Sequence, residues 1–250
     1  MNLTKLVADP YNRRARLQPA LLSILPIAAV ALILFPALES KVPLIAGIIT
    51  YFGGVAWLTQ FGRDRGKLLE KKLFDHWGGL PSVVLLRHRD PTINKVTKER
   101  YHAFLSANMP GHSLPSSEDE TKSPNTADES YASATDWLIA RTREKAKYSL
   151  LFEENMNYGF RRNFWAMRPI ALSVDILVIA GILGMHISVS PDTNLIMLDL
   201  NSPGWTALAV TGFHTCIVFL ATKKWVYTAA HAYARQLLSA CDALSDADSN

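Results

Sequence analysis

The sequence predicts a mainly α-helical polytopic membrane protein, with four transmembrane helices arranged as two hairpins. Charged side chains make up 19% of the 250 residues, yet they are almost missing from four windows. Each window has a suitable length, since about 20 mainly apolar residues at a rise of about 1.5 Å each cross a bilayer. Basic residues also collect on one side of the windows. The windows are residues 19–38, 42–61, 169–189 and 205–222.

The first window, PALLSILPIAAVALILFPAL, and the second, VPLIAGIITYFGGVAWLTQF, are uncharged along their whole length. Helices of soluble proteins keep a polar face, whereas these two windows are apolar on every face. The first window is too long for the apolar core of a signal peptide, and Ala37-Leu38-Glu39 is a poor cleavage site. We therefore expect this window to remain as a membrane anchor.

Basic residues flank the windows on the side that we assign to the cytosol, because such residues mark the cytosolic side of membrane proteins. The two short connections on the other side contain Lys41 alone. Both termini and the central segment are therefore predicted to lie inside a bacterial inner membrane. The basic pI of 9.0 follows from this topology and from attraction to lipid headgroups, so direct nucleic-acid binding is not expected. The flanking bases are Lys5, Arg13, Arg14, Arg16, Arg63, Arg65, Lys67, Lys71, Lys72, Arg161, Arg162, Arg168, Lys223 and Lys224.

The predicted organisation is a hairpin, a cytosolic insert, a second hairpin and a tail. A cytosolic N-terminal segment covers residues 1–18, and the first hairpin covers residues 19–61. The insert, residues 62–167, is long enough for a small domain. The second hairpin covers residues 168–222, and a cytosolic C-terminal helix and tail cover residues 223–250.

The insert is predicted to be mostly helical. Helix two should continue into the cytosol until Gly78-Gly79 ends it. Residues 82–86 form a short apolar run that periodicity assigns neither to a strand nor to a helical turn with Pro81 at its first position. Residues 92–109 are predicted to be a helix capped by Thr92.

The second half of the insert combines a predicted loop with a predicted helix. Residues 110–133 are rich in Ser, Thr, Pro and acidic side chains and show no apolar period, which predicts a mobile acidic loop. Residues 136–157 are predicted to be one long helix that leads toward helix three.

Residues 74–90, FDHWGGLPSVVLLRHRD, contain the candidate ligand site of the insert. Guanidinium groups suit phosphate, and backbone amides beside Gly78-Gly79 could line an anion nest, which suits a nucleotide-like ligand. The alternative is that the arginines pair with acids or lipid phosphates and that the aromatic side chains lie at headgroup level. The spacing of the histidines fits no metal motif, so neither a metal nor another cofactor is predicted. The ligand-binding candidates are Asp75, His76, Trp77, Arg87, His88, Arg89, Asp90, Arg161 and Arg162, with Trp77, Tyr101 and Tyr158 able to stack a base.

Asp175 and His214 are the candidate polar residues within the membrane. Asp175 lies about 9 Å below the cytosolic end of helix three and His214 about 12 Å below that of helix four, at about 1.5 Å per residue. An acid at this depth needs a partner or a water-filled cavity. The pair is therefore predicted to line a polar path or hold a gate, unless Asp175 reaches back to the interface. Asp175→Leu is expected to leave the bundle unchanged or more stable, because it removes a charge that is costly in hydrocarbon.

Two series of small residues at four-residue spacing predict close helix packing, which makes a homo-oligomer plausible. The two cysteines lie in helix four and in the tail, which argues against a structural disulfide. The two series are Ala46, Thr50 and Gly54 in helix two, and Ala180, Gly184 and Ser188 in helix three.

Two hairpins around a cytosolic insert resemble the small multispan effectors with which bacterial antiphage systems permeabilise their own membrane. The sequence therefore predicts a non-enzymatic membrane effector or pore whose insert senses a ligand or a protein partner. Two alternatives stay open. One is a membrane-bound phosphohydrolase-like enzyme that uses Asp75, His76, His88 and Asp90 for acid–base chemistry. The other is a membrane anchor or scaffold for a cytosolic partner.

Overall fold

The computed structural model describes residues 8–51, 53–111, 113–189, 196–198 and 203–248, and its elements are helices apart from one short antiparallel β-ribbon. The ribbon pairs Ile187–Val189 with Ile196–Leu198. The helices are α1 (Gln18–Leu22), α2 (Leu25–Leu34), α3 (Val42–Tyr51), α4 (Gly54–Trp77), α5 (Pro81–Leu86), α6 (Lys95–Asn108), α7 (Ser117–Lys122), α8 (Pro124–Arg141), α9 (Ser149–His186), α10 (Pro203–Leu220) and α11 (Lys223–Asp248), with a π-helical turn at Asn12–Leu17 and a 3₁₀ turn at Pro36–Lys41.

The chain divides into two compact units. The membrane-helix unit comprises Met1–Leu69 and Gly159–Val226, and the central unit comprises Glu70–Tyr158 and Tyr227–Asn250. Three of the helices, α4, α9 and α11, contribute residues to both units.

The membrane-helix unit contains two to four candidate membrane spans. Helices α9 and α10 are each long and apolar enough to cross a bilayer. Asn12–Leu22 with Leu25–Leu34, bent by 53°, and Pro36–Ile49 with Gly54–Leu86, bent by 65°, can each form one further broken span. The prediction that the chain contains membrane-spanning helices is thereby confirmed.

The bends have local causes in the sequence. Pro26 has no N–H, so the carbonyl of Leu22, four residues earlier, loses its helical donor and α1 ends there. Between α3 and α4, Gly53 has a φ of 72°, which glycine adopts readily. Because α3 ends at Tyr51 and α4 begins at Gly54, the small-residue series from Ala46 to Gly54 does not lie on one helix. That part of the packing prediction is wrong.

The third predicted span begins much earlier than expected. Helix α9 runs from Ser149 to His186 and continues through Pro169. The predicted helix over residues 136–157 is wrong, because α8 ends at Arg141 and α9 starts only at Ser149. Residues 143–147 are all exposed and charged except for one alanine, so they have no apolar face that would hold a helix there.

The first half of the central unit agrees with the sequence in part. Helix α4 ends at Trp77, and Gly78 and Gly79 follow with φ values of 78° and 138°, so the predicted helix end is confirmed. The run over residues 82–86 is helical, with Pro81 at its start. Helix α6 begins at Lys95 rather than at residue 92, because Asn94 is the cap and accepts the Thr97 N–H at 2.9 Å.

The predicted loop over residues 110–133 is largely helical, so that prediction is wrong. Helix α7 starts with a capping box between Ser116 and Asp119, and α8 starts with a proline in its first turn. The acidic composition conceals an apolar stripe along α8, which buries Ala127, Tyr131, Ala134 and Leu138.

One apolar core holds the central unit together. It contains Leu85 and Leu86 of α5, Leu105 of α6 and the buried stripe of α8. Helix α11 adds further side chains, so the C-terminal segment that the sequence set apart as a tail belongs to this core. Burying a leucine side chain contributes about 1.5–3 kcal/mol. The residues from α11 are Ala234, Leu237, Leu238, Ala240 and Cys241.

Candidate functional site

The structure brings the two predicted intramembrane residues into direct contact. The Nδ1 atom of His214 on α10 lies 2.8 Å from Oδ1 and 3.1 Å from Oδ2 of Asp175 on α9. Asp175 is 1% exposed and His214 is 5% exposed. Asp175 therefore has a buried partner and does not reach back to the interface.

A third membrane segment joins this pair. The Nε2–H of His214 donates to the carbonyl of Leu22 at 2.9 Å, the carbonyl that Pro26 leaves without a helical donor. Thr215 Oγ1 donates to Asp175 Oδ2 at 2.9 Å. We call Asp175, His214, Thr215 and the Leu22 carbonyl the membrane polar cluster. It satisfies the broken end of α1 by means of a side chain from α10.

The surroundings of the membrane polar cluster are apolar, as expected for side chains within a bilayer. A buried charge in such surroundings must be paired, because its hydration is lost. A cavity of about 110 Å³ reaches His214 and is otherwise lined by apolar side chains and Pro26. The packed apolar residues include Val30, Ile182 and Ala207 in one cluster and Phe164, Ala171, Val218 and Ala221 in another.

In the central unit, Arg87 serves an internal contact. Its Nε and Nη2 atoms donate to the two carboxylate oxygens of Asp128 at 2.8 and 2.7 Å, and Nη2 also donates to the Gly78 carbonyl at 2.8 Å. The side chain is 12% exposed. A Cβ atom on Gly79 would lie 2.9 Å from Nη2, so only glycine fits beside the guanidinium. The fork of Arg87 thus fixes the turn after α4 to α8.

Glu120 is a buried acid that the sequence reading missed. Its Oε2 accepts the backbone N–H of His88 at 2.7 Å and the hydroxyl of Tyr131 at 2.8 Å, while Oε1 accepts the N–H of Arg89 at 3.4 Å. Burial by itself raises the pKa of Glu120, but these hydrogen bonds outweigh it and the pKa is lowered. Glu120 therefore holds the segment at His88 and Arg89 against α7 as a charged carboxylate.

Two histidines lie beside this carboxylate. His88 Nε2 contacts the Pro115 carbonyl at 3.0 Å, and His102 Nε2 contacts the Leu86 carbonyl at 2.8 Å. The two rings lie 4.5 Å apart between centroids. Burial lowers the pKa of His102, so the ring is held neutral.

Lys98 and His88 border a groove of about 530 Å³. The buried Nζ of Lys98 donates to the backbone carbonyls of Arg87 and Asp90, and burial lowers the pKa of Lys98. We call this surface the His88 groove. Its lining carries both charges and includes His88, Asp90, Lys95, Lys98, Glu99 and Ser117.

The remaining candidates of the central unit do not join the groove lining. Asp75 and His76 are exposed on α4, and the Trp77 ring packs against Tyr227 at 5.3 Å. Tyr101 and Tyr158, which were expected to stack a base, are 6% and 8% exposed and therefore buried. Among the described residues, no group of three or more His, Cys, Asp or Glu side chains could hold a metal ion.

Arg161 and Arg162 have partners within the membrane-helix unit. Arg161 Nη1 donates to the Trp225 carbonyl at 3.1 Å, and its Cζ lies 5.0 Å from the centre of the Trp225 ring. Arg162 is buried and donates to Asn163 Oδ1 at 3.2 Å. Asn163 also donates to the Ala15 carbonyl at 2.7 Å. Arg161 and Arg162 thus make structural contacts at the ends of membrane helices.

Comparison with protein-family models, with curated proteins and with solved structures finds no match. Function is therefore inferred from the geometry of the membrane polar cluster and of the His88 groove.

Proposed function

We propose that the chain is a non-enzymatic membrane effector of a bacterial inner membrane. In this proposal it crosses the bilayer four times as two hairpins, with both termini and the insert in the cytosol. The insert responds to a ligand or a protein partner, and the membrane helices then open. The observation that carries the proposal is the membrane polar cluster, which joins α9, α10 and the broken end of α1.

The membrane polar cluster suits a closed state because its contacts depend on one another. His214 uses one ring nitrogen for Asp175 and the other for the Leu22 carbonyl. A shift of α10 that breaks one of these hydrogen bonds strains the other, so the packing has two arrangements rather than a continuous range. Opening would also bring polar groups into contact with water, which offsets the loss of their partners.

The His88 groove supports a sensing role for the central unit. Its walls combine basic and acidic side chains, and a few convergent polar groups are typical of small-molecule sites. The segment at its edge is held by Glu120 and Lys98, so a ligand that displaced these contacts would alter the packing of α7.

Self-association of the membrane helices is part of the same proposal. Ala180, Gly181 and Gly184 are exposed on α9, and a Cβ atom added at either glycine would meet nothing within 4 Å. Small residues on an exposed face let membrane helices approach closely, as a homo-oligomeric pathway would require.

A membrane anchor for a cytosolic partner is the second candidate. It is favoured by the complete pairing of the membrane polar cluster, in which both His214 ring nitrogens and both Asp175 oxygens have partners. Buried polar networks that are fully satisfied also make membrane bundles rigid, and a rigid bundle needs no opening.

Leakage of a small dye from induced cells separates the two candidates. Asp175→Leu and His214→Leu each break the closed contact and should raise leakage above wild type. Cys216→Ser, at an exposed position of α10, is the matched control and should behave as wild type. The amount of protein in the membrane fraction is measured in parallel. Equal leakage from all four strains at equal protein levels would leave the anchor and exclude the effector.

A further inference from the structure

The two ring nitrogens of His214 have fixed roles. A backbone carbonyl can only accept a hydrogen bond, so the Nε2 atom that lies 2.9 Å from the Leu22 carbonyl must carry a proton. The neutral ring has one N–H, and here that N–H is on Nε2. Any proton on Nδ1 is therefore a second proton on the ring.

The contact between Nδ1 of His214 and the Asp175 carboxyl group also needs a proton. Without one, a nitrogen lone pair would face an oxygen lone pair at 2.8 Å. The proton resides on the ring, which gives an imidazolium beside a carboxylate, or on Asp175, which gives a neutral imidazole beside a carboxylic acid. Both forms have zero net charge and share one proton.

Few other charges face this pair. On α1, α2, α10 and the part of α9 after Pro169, the described titratable side chains besides the pair reduce to Cys216, which is exposed. Arg168 lies just before Pro169, and its Cζ is 5.2 Å from the centre of the Phe219 ring. The protonation state of the pair is therefore set mainly by the pair itself and its apolar surroundings.

We infer that the membrane polar cluster is a binding site for one proton and that release of this proton opens the membrane helices. The inference rests on the proposed effector function and names the species that controls its closed state. Loss of the proton leaves a net negative charge among apolar side chains and removes the hydrogen bond between α9 and α10.

Addition of a further proton has a different effect. A proton on Asp175 Oδ2 can be donated to Thr215 Oγ1, which in turn donates to the Thr211 carbonyl at 2.9 Å. Every hydrogen bond of the membrane polar cluster then remains. Opening therefore belongs to the alkaline side of neutral pH. The cavity of about 110 Å³ beside His214 gives water a place from which to accept the proton.

Dye release from liposomes of phosphatidylcholine containing the purified full-length protein tests the inference between pH 7 and pH 10. Release from the wild type should rise with pH, with a limiting slope of about tenfold per pH unit, because one proton is released. Asp175→Asn should release dye slowly throughout. Its amide N–H donates to Nδ1, its oxygen accepts from Thr215, and it has no proton to lose. Cys216→Ser should titrate as wild type.

Thermal unfolding in detergent over the same pH range gives a second reading that does not depend on leakage. The Tm of the wild type should fall on the alkaline side more than that of Asp175→Asn. Asp175→Leu should have a low Tm at every pH. If no variant releases dye but this difference in Tm persists, the effector function is wrong and the one-proton site stands. If Asp175→Asn loses Tm with pH as the wild type does, or unfolds as early as Asp175→Leu at pH 7, the one-proton site is overturned.

Discussion

Asp175 in the membrane-helix unit and Glu120 in the central unit are both buried carboxyl groups, with exposures of 1% and 3%. Both are surrounded by hydrogen-bond donors. Asp175 faces the titratable ring of His214, whereas Glu120 faces two backbone amides and a tyrosine hydroxyl. The two acids therefore solve the problem of burial with different partners.

The choice of partner determines where the charge resides. His214 can take the proton of Asp175 or return it, so the pair has zero net charge in either form. The donors of Glu120 have no such second form, and the nearest cation, Arg89, lies 3.8 Å away with a side chain that is 53% exposed. Glu120 therefore stays charged and its pKa is lowered. A site that exchanges a proton needs a titratable partner, whereas a site that only fastens a segment does not.

The largest expected effect comes from breaking the Asp175–His214 pair. Asp175→Leu or His214→Leu leaves the other side chain buried without its partner, which costs about 3–5 kcal/mol. This reverses the expectation from the sequence, where Asp175→Leu only removed a costly charge. Unfolding of each variant in detergent measures the loss.

The double substitution Asp175→Leu with His214→Leu sharpens the result. Its cost should be clearly smaller than the sum of the two single costs, because contacting residues are coupled by about 0.5–3 kcal/mol. Additive costs would mean that the two side chains act independently, and the comparison with Glu120 would lose its basis.

Glu120→Leu should have the next largest effect. It leaves the His88 N–H and the Tyr131 hydroxyl buried without an acceptor, at about 1–3 kcal/mol for such unsatisfied groups. Hydrogen exchange of the α8 amides, followed by mass spectrometry of the full chain, reports the stability of the central unit alone. Glu118→Leu on the same helix is the control, since its side chain is 86% exposed. Equal exchange in both variants would contradict the role of Glu120.

Arg87 and Arg89 are neighbours with different expected costs. Arg87→Lys cannot reproduce the fork that binds Asp128 and the Gly78 carbonyl, so we expect a loss of about 1–2 kcal/mol from this charge-assisted contact. Arg89→Ala, at an exposed side chain, should change stability by no more than about 0.5 kcal/mol. Exchange of the α8 amides measures both variants. A larger effect for Arg89 would indicate that its charge, rather than its N–H, stabilises Glu120.

Sequence reasoning succeeded where composition alone decides the outcome. The uncharged windows predicted membrane helices, and Gly78-Gly79 predicted the end of α4. It failed over residues 110–133, where the acids and serines were counted but the spacing of Ala127, Tyr131 and Leu138 was not. Those apolar residues form a helical stripe that packs into the core of the central unit.

The candidate sites divide in the same way. Depth along two helices placed Asp175 and His214 at one level, and they are in contact. The Leu22 carbonyl was missed, although Pro26 four residues later signals an unpaired carbonyl in any helix. Glu120 could not be found, because its partners are backbone amides of a distant segment and the sequence does not specify which N–H groups lack acceptors. Tertiary contacts of this kind follow only from the fold.

The smallest expected effect concerns pH and distinguishes His102 from Glu120 within the central unit. Burial lowers the pKa of His102, so the unfolded chain takes up a proton at a higher pH than the folded chain does. Stability is therefore full above the ordinary value near 6.5 and is lost as the pH falls below it. The lowered pKa of Glu120 acts in the same direction but only in more acidic solution.

Hydrogen exchange of the α8 amides should therefore report a loss of up to about 1.4 kcal/mol per such histidine between pH 7.5 and pH 5.5, the limit for one proton taken up only by the unfolded chain. His102→Gln keeps a donor for the Leu86 carbonyl and removes the titration, so its loss should be smaller by that amount. Some dependence will remain, because burial also lowers the pKa of His231. Wild type and variant are compared at each pH, which cancels the intrinsic pH dependence of exchange. An equal loss in both would show that His102 is protonated within the folded chain, and the contrast between neutral and charged donors around Glu120 would have to be redrawn.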